Sequence, residues 1–406
     1  QISGEVNRSD SVDYVKFYES NNWHVQEVDG QNRDQIRNAI RYAQMEVEKP
    51  SIIIGHNVIA PGCATMEGDH NTHGAPLPPE EIKYTKINLG LDHNKFYHVS
   101  QSVLSDFRES FHYARTEVEA WNTALKNKLS KDENFSTDWN ICINNADARI
   151  NWPKYDFGEN IATRKVWGAV IEAMAPKIKT LVGGSADLEP SNVTTGFAEM
   201  VKDFNKNNQK GRNFAYGVRE FPMGAINNGI AQHGGLKVFG ASFFVFSDYE
   251  RPAIRMRALQ KLPVITEYTH DSIFVGEDGP THQPIEQLMS CRSIPNLLVM
   301  RPCDANEAVV ASRIAFKQTK YPSLILLSRQ GLPVLNRNIY KDENEFQKGA
   351  YILSDYSNNN KTKISIFCSG SEVSLSINVM KQLNNFDFPR NSWEMLIEPC
   401  GSLTNF

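Results

Sequence analysis

Between the Asp29-Gly30 turn and Pro50, the apolar residues Ile36, Ala39, Ile40, Ala43 and Val47 recur at three- and four-residue spacing. They line one face of a helix that Pro50 closes. Ser51 to Ile54 reads as a short buried strand, so the opening stretch is strand, helix, strand. Proline and glycine crowd the chain from Pro61 to Pro79, around His73-Gly-Ala-Pro-Leu77, which predicts a long loop inside an α/β unit. Helical spacing returns from Val103 to Leu129, with Phe107, Phe111, Ala114, Val118 and Trp121 as the expected inner stripe. A second α/β unit opens near Arg164, with a helix over Val166 to Met174 and a strand at Leu181-Val182 that ends in Gly183-Gly184-Ser185. Short apolar runs at Val238 to Phe239, Leu262 to Ile265, Leu297 to Val299 and Leu324 to Leu327, each separated by a helical pattern, predict a mostly parallel sheet. Asp342 to Lys363, with Asn358-Asn359-Asn360, reads as a linker. A third unit begins at Ile364-Ser-Ile-Phe367, continues through a helix over Val373 to Leu383 and starts another strand at Trp393. The fold class is α/β, as tandem open, mostly parallel sheets.

With 406 residues, 40% of them hydrophobic, the chain is long enough for two or three packed domains. A formal charge of −4 gives no basic surplus for a phosphate backbone, so nucleic acid is not expected as a partner. No apolar run approaches the roughly 20 residues of a membrane-spanning helix, and no leader pattern precedes Gly4, so no membrane association is expected. The six cysteines form no C-x-x-C pair and no cysteine/histidine cluster, the pattern of a reduced, cytoplasmic protein.

The densest polar constellation is Thr269-His270-Asp271-Ser272 followed by Gly276-Glu-Asp278-Gly-Pro-Thr-His282-Gln283. It follows the strand Val264 to Glu267, so its side chains emerge where open α/β sheets bind ligands. Such a loop can hold a metal, shuttle protons or grip a hydroxylated substrate, or its acids can merely cap the next helix. Gly183-Gly-Ser185-Ala-Asp187-Leu188 lets backbone amides approach a phosphate, or is a simple turn. Glu220 stands in an apolar, glycine-rich stretch where a carboxylate can hold a proton; the alternative is a surface pair with Arg219. Phe243, Phe244, Phe246 and Tyr249 form a core strand or a stacking platform. Together, Arg164 and Arg329 suit a doubly charged phosphate; alone, each is a solvated arginine. His70 and His73 lie in a loop too rich in proline and glycine for a helical metal pair.

In order, His73-Gly-Ala-Pro-Leu77, Thr163-Arg-Lys165, Gly183-Gly-Ser-Ala-Asp-Leu188, Tyr216-Gly-Val-Arg-Glu-Phe221, Tyr268-Thr-His-Asp-Ser272, Gly276 to Pro284, Arg301-Pro-Cys-Asp304 and Ser328-Arg-Gln330 resemble the transketolase family across nearly the whole chain. The resemblance implies thiamine diphosphate bound through a divalent cation, Mg2+ or Ca2+, in active sites at the subunit interface of a homodimer. It implies transfer of two-carbon ketol units between sugar phosphates. The implied domains are the pyrophosphate-binding part and linker at 1–145, the pyrimidine-binding domain at 146–345 and the start of a C-terminal domain at 346–406.

Within that resemblance, Glu220 bonds the pyrimidine nitrogen N1′, so that the 4′-amino group can take the proton from thiazolium C2. Phe243, Phe246 and Tyr249 surround the pyrimidine, and Asp187 lies close to the thiamine. His73 stands near the pyrophosphate and the reacting hydroxyls, and His270, Asp278 and His282 line the sugar. Arg164, Ser185, Arg329 and His270 grip the terminal phosphate. The family's Gly-Asp-Gly metal motif is not found in residues 1 to 406, and Gln1-Ile2-Ser3 resembles the tail of it, so only Ile2 carries over as a metal ligand, through its carbonyl. The chain is therefore expected to be a piece of a longer protein. Trp167 stands where the family commonly has serine, which bears on the phosphate contacts nearby. A dihydroxyacetone synthase-like ketol transferase and a non-catalytic dimerisation scaffold remain as alternatives.

Overall fold

Asp13 begins the first helix by accepting a hydrogen bond from the Lys16 amide, and Asn32 begins the second by accepting from the amides of Asp34 and Gln35. These caps set α1 (Tyr14–Ser20) and α2 (Arg33–Met45) around two parallel strands, β1 (His24–Asp29) and β2 (Ser51–His56). The computed structural model describes residues 2–144, 147–354, 364–385 and 393–397. Gln1, Asn358-Asn359-Asn360, Cys400 and Leu403 to Phe406 lie outside the described residues.

The chain forms two compact units, Gln1–Ala120 and Trp121–Phe406. In the first, the sequence pattern overstates burial. A two-stranded sheet covers little surface, so of the α2 stripe only Ala39 is buried, Ile40 is exposed, and Val47 lies beyond the helix end. Strand β2 is half-buried rather than buried. Helix α3 (Pro79–Asn88) anchors the long loop through Glu81, whose buried carboxylate accepts from the Thr65 amide and hydroxyl, each at 2.9 Å. The long helix α4 (Gln101–Lys131) forms as its spacing predicts. Its expected inner stripe is solvent-facing, with Phe107, Phe111, Val118 and Trp121 all more than half exposed.

In the second unit, α5 (Glu133–Cys142) and the short strand β3 (Asn160–Ala162) lead into α6 (Thr163–Met174), β4 (Leu181–Ser185), α7 (Glu189–Asn192), α8 (Thr195–Val201), α9 (Glu220–His233) and β5 (Lys237–Phe243). Then come α10 (Ser247–Gln260), β6 (Ile265–Thr269), α11 (Gln287–Arg292), β7 (Leu298–Met300), α12 (Ala305–Lys317), β8 (Ser323–Leu327) and β9 (Gly331–Pro333), which pairs antiparallel with β3. The five strands β4-β5-β6-β8-β7 form one fully parallel sheet. Alternation along the strands serves two cores. Ile265, Ile325 and Leu327 pack with α6, α8 and α12, while Tyr268, Leu324 and Leu326 pack with α10 and α11.

Trp167 turns into the first of these cores, stacked on Phe316 at 5.7 Å and edge-on to Phe239 at 5.6 Å. Its ring is fully buried among the apolar residues of that core. Within the segment read as a linker, Glu343–Lys348 make a 3-10 turn with Phe346 fully buried, and β10 (Tyr351–Ser354) joins β11 (Ile364–Cys368) and β12 (Trp393–Ile397) in a three-stranded sheet, with α13 (Glu372–Asn385) following β11. Phe346 and Tyr351 supply the apolar anchors that a free linker lacks.

Candidate active site at the carboxyl edge of the parallel sheet

The register sets Phe243, Thr269 and Leu327 side by side, so β5, β6 and β8 end at one level. The residue after each strand emerges there, the edge at which parallel sheets hold ligands. A reciprocal clamp brings α6 to the same place: the Thr163 amide donates to Ser328 Oγ at 3.1 Å, and the Ser328 amide donates to Thr163 Oγ1 at 2.7 Å. Arg164 and Arg329, each next in sequence to a clamp residue, thereby converge. Arg164 donates through Nη1 to the Ser191 carbonyl at 2.9 Å, and burial, then the positive charge of Arg329, holds its guanidinium below the usual arginine range. Arg329 donates through Nη2 to both oxygens of Glu277 at 2.9 Å and lies 3.6 Å from Asp278 through Nε. Two arginines held close against mutual repulsion form a receptor for a dianion.

His270 joins this grip to an aromatic wall. Its backbone is left-handed, with φ 60°, and its ring is buried, stacked on Phe243 with centroids 3.8 Å apart. A relay fixes the ring. Ser185 Oγ donates to Asn192 Oδ1 at 2.7 Å, Asn192 Nδ2 donates to Thr269 Oγ1 at 3.0 Å, and Thr269 Oγ1 lies 2.9 Å from His270 Nδ1. Thr269 accepts the Asn192 bond and is free to donate to Nδ1, an arrangement that puts the imidazole proton on Nε2, 3.6 Å from Asp278. Burial, reinforced by Arg164, pushes the His270 pKa down to about 4, so the ring is neutral at physiological pH. Beside it, the planes of Phe243 and Phe246 lie 8° apart, His282 stands edge-on to both at 5.9 and 5.3 Å, and Tyr249 continues the wall at 6.0 Å from Phe246.

The other expected residues fall as follows. Glu220 is the first residue of α9, buried, and no hydrogen-bond donor meets its carboxylate among the described residues. Arg219 instead donates to the Tyr216 carbonyl at 3.1 Å, so the surface pair does not form. Because α9 runs back to the start of β5, its first residue lies at the same carboxyl edge. Asp187 follows β4 in left-handed backbone and is exposed. Ser185 is buried, with its hydroxyl bonded to Asn192 and to the Leu188 amide, so it holds the turn that carries Asp187. His73 and Ile2 belong to the first unit, both exposed; the His73 amide donates to the His70 carbonyl at 3.1 Å. Two contributors escaped the sequence reading, Asn192 and Glu267; Thr269 was read there only as part of the polar constellation, without its link to Asn192. Asn192 follows Ser191 in the turn after β4, and a polar residue so soon after a glycine-rich strand end is the one signal that marks it.

A flat aromatic wall and an acceptor without a donor at one sheet edge are what an aminopyrimidine requires, so the second unit fits that half of thiamine diphosphate. For a divalent cation the fit is not met by side chains: among the described residues no group of three or more His, Cys, Asp or Glu is placed to hold a metal. Nor, among the described residues, is any helix long and apolar enough to cross a membrane.

Residues 159–334 match the family model for the transketolase pyrimidine binding domain, and residues 1–143 match that for the transketolase thiamine diphosphate binding domain. The transketolase of Halalkalibacterium halodurans is 40% identical over 387 residues, which is 94% of this chain and 57% of that protein. The transketolase of Bacillus subtilis is 39% identical over 94% of this chain and 58% of its own length. The crystal structure of the Campylobacter jejuni transketolase covers 98% of this chain and 60% of that one, with a TM-score of 0.86 and 36% identity. A Pichia stipitis transketolase in complex with sedoheptulose-7-phosphate gives a TM-score of 0.88 at 32% identity, over 98% of this chain and 59% of that one. This chain thus spans rather more than half the length of the proteins it matches. Two family models that together account for most of the sequence, with structural likeness along nearly all of it, agree with the motif order and the site geometry: the chain belongs to the transketolase family.

Proposed function

We propose that the protein is a transketolase that moves a two-carbon ketol unit from a ketose phosphate to an aldose phosphate in the pentose phosphate pathway, in the cytoplasm. The observation that carries this reading is the convergence, at one edge of one sheet, of a two-arginine grip and an aromatic wall that share His270. The relatives' activity and the sugar phosphate bound to the Pichia stipitis protein support it.

Thiamine diphosphate, when bound, supplies the acidic carbon and the electron sink that cleaving a carbon–carbon bond next to a carbonyl needs. Phe243, Phe246 and Tyr249 would flank its pyrimidine, Asp187 would face the thiamine, and the free carboxyl of Glu220 would hold a proton at N1′. The neutral His270, with its proton on Nε2, can donate to a sugar oxygen, while Asp278 and His282 accept from and donate to neighbouring hydroxyls. Arg164 and Arg329 would hold the terminal phosphate, with Ser185 fixing the turn beside them. His73 in the first unit is proposed to face the reacting hydroxyls. The Ile2 carbonyl is proposed as one of the oxygen ligands of Mg2+ or Ca2+. A homodimer with active sites at the subunit interface is proposed, a reading that the exposed apolar stripe of α4 supports. The domain division at 145 and 345 is proposed from the two matched family regions, 1–143 and 159–334.

Replacement of the free acceptor tests the reading. In the full-length protein, Glu220→Gln should lower sugar transfer by about 10²–10⁴ with the far-ultraviolet circular dichroism unchanged. Turnover near wild type would overturn it.

A further inference from the structure

Strand β6 carries a carboxylic acid that the reading above does not use. Glu267 is fully buried, and neither of its oxygens meets a hydrogen-bond donor among the described residues. Its neighbours across the sheet, Ala241 and Ile325, are apolar. Alternation fixes the direction of the side chain. Tyr268 and Thr266 turn to α10, where they meet Glu250 and Arg257, so Glu267 shares the opposite face with Ile265 and Thr269, toward α6 and α7. That face carries Arg164, whose Nε is likewise buried without a partner, and Asn192 of α7 presents only an amide. An acid and a guanidinium nitrogen, each buried without a partner among the described residues, thus lie on one face of the sheet behind the arginine grip.

We propose that Glu267 is a positioning residue that couples the grip of Arg164 on a sugar phosphate to a proton. Ionised, Glu267 draws on the Arg164 charge from behind and repels an arriving dianion; protonated, it leaves the guanidinium to the phosphate. Binding of the phosphate therefore favours uptake of a proton from solvent at Glu267. Burial supports this by raising the acid well above the usual carboxylate range, with Arg164 as the opposing influence. The other charged groups acting on this face are Arg329 beyond β8, Asp278 in the loop after β6, and, when protonated, His270. His270 is neutral above about pH 4 and so adds nothing to the titration in the working range.

The inference rests on the phosphate role proposed for Arg164, and the test separates the two. In the full-length protein, KM for a ketose phosphate is measured between pH 5.5 and 9.5 for wild type and for Glu267→Gln, with a non-phosphorylated ketose as control. Taking the ratio of the two proteins cancels the ionisation of the substrate phosphate. The wild-type to variant ratio should be near one at the acid end and rise on the order of three- to tenfold toward the alkaline end, for the phosphorylated sugar alone. Calorimetric titration with ribose 5-phosphate in buffers of different ionisation enthalpy should show wild type taking up, at the pH where the ratio changes, up to about one more proton than the variant. Glu267→Leu, which also lacks the charge, should behave as Glu267→Gln does and serves as the second variant if the amide fails to fold. A flat ratio with equal proton uptake, while Arg164→Ala raises KM for the phosphorylated sugar, would overturn the role of Glu267 alone. An unchanged KM in Arg164→Ala would overturn the phosphate reading beneath it.

Discussion

Removing Arg329 isolates the phosphate half of the site. In the structure its guanidinium is two-thirds buried and rests on Glu277, an exposed acid, with Asp278 3.6 Å away. An exposed pair of this kind contributes little to stability and is readily exchanged for a better partner. A phosphate dianion is that partner, and hydrogen bonds to charged groups in such a setting are worth about 1.5–3 kcal/mol. Taking the middle of that range, about 2 kcal/mol, Arg329→Ala should weaken binding of phosphorylated sugars roughly thirtyfold. The contact is made before and during the reaction alike, so the loss should fall on KM while kcat moves less than about threefold. Steady-state kinetics with a ketose phosphate and with a non-phosphorylated ketose, in parallel, give the assay. The non-phosphorylated substrate should be handled almost equally by both proteins. A KM left unchanged while kcat collapses, or an equal loss with both substrates, would refute the reasoning and move Arg329 into the chemistry.

Three further outcomes are expected. Glu220→Gln should lower kcat by about 10²–10⁴ through loss of proton holding, with the melting temperature within a few degrees of wild type; stopped-flow or coupled assays measure it. Trp167→Ala removes a fully buried ring stacked on Phe316 and should destabilise the fold by about 3–5 kcal/mol in denaturant titration, with KM for phosphorylated sugars unchanged wherever the variant stays folded. For His270, the native pKa of about 4 lies below the ordinary 6.5, so the unfolded chain takes up a proton first as pH falls. Its contribution, about 1–2 kcal/mol after allowance for solvent screening, is present above pH 6.5 and lost as pH falls toward 4. The pH dependence of stability in that window should therefore flatten in His270→Phe.

The order of strands and helices from Thr163 to Leu327 was legible because each apolar run there is buried in one sheet. The β6 residues show why. Ile265 and Tyr268 serve opposite faces, and the polar run that follows has nowhere to go but the sheet edge. In the first unit the same reasoning overshot, since a helical stripe such as Phe107, Phe111 and Val118 specifies a face but not what covers it. At the site, Arg164, Asp278, His270 and Arg329 could be named from motifs, yet their convergence depends on the clamp between Thr163 and Ser328, which are 165 positions apart. The pairing of Ser185 with Asn192, and the full burial of Glu267 within its strand, are consequences of packing that no local pattern records. Resemblance supplied the cofactor; periodicity could not.

Whether two carbons move between sugars is the most direct question. The full-length protein, with thiamine diphosphate and magnesium, should be mixed with a ketose phosphate labelled with carbon-13 at C1 and C2 and an unlabelled aldose phosphate, and the products followed by nuclear magnetic resonance. The expected result is a new ketose phosphate two carbons longer than the acceptor, carrying both labels adjacent, with none formed when thiamine diphosphate is left out. Label that stays in the donor, or product formed equally without thiamine diphosphate, would contradict the proposed reaction.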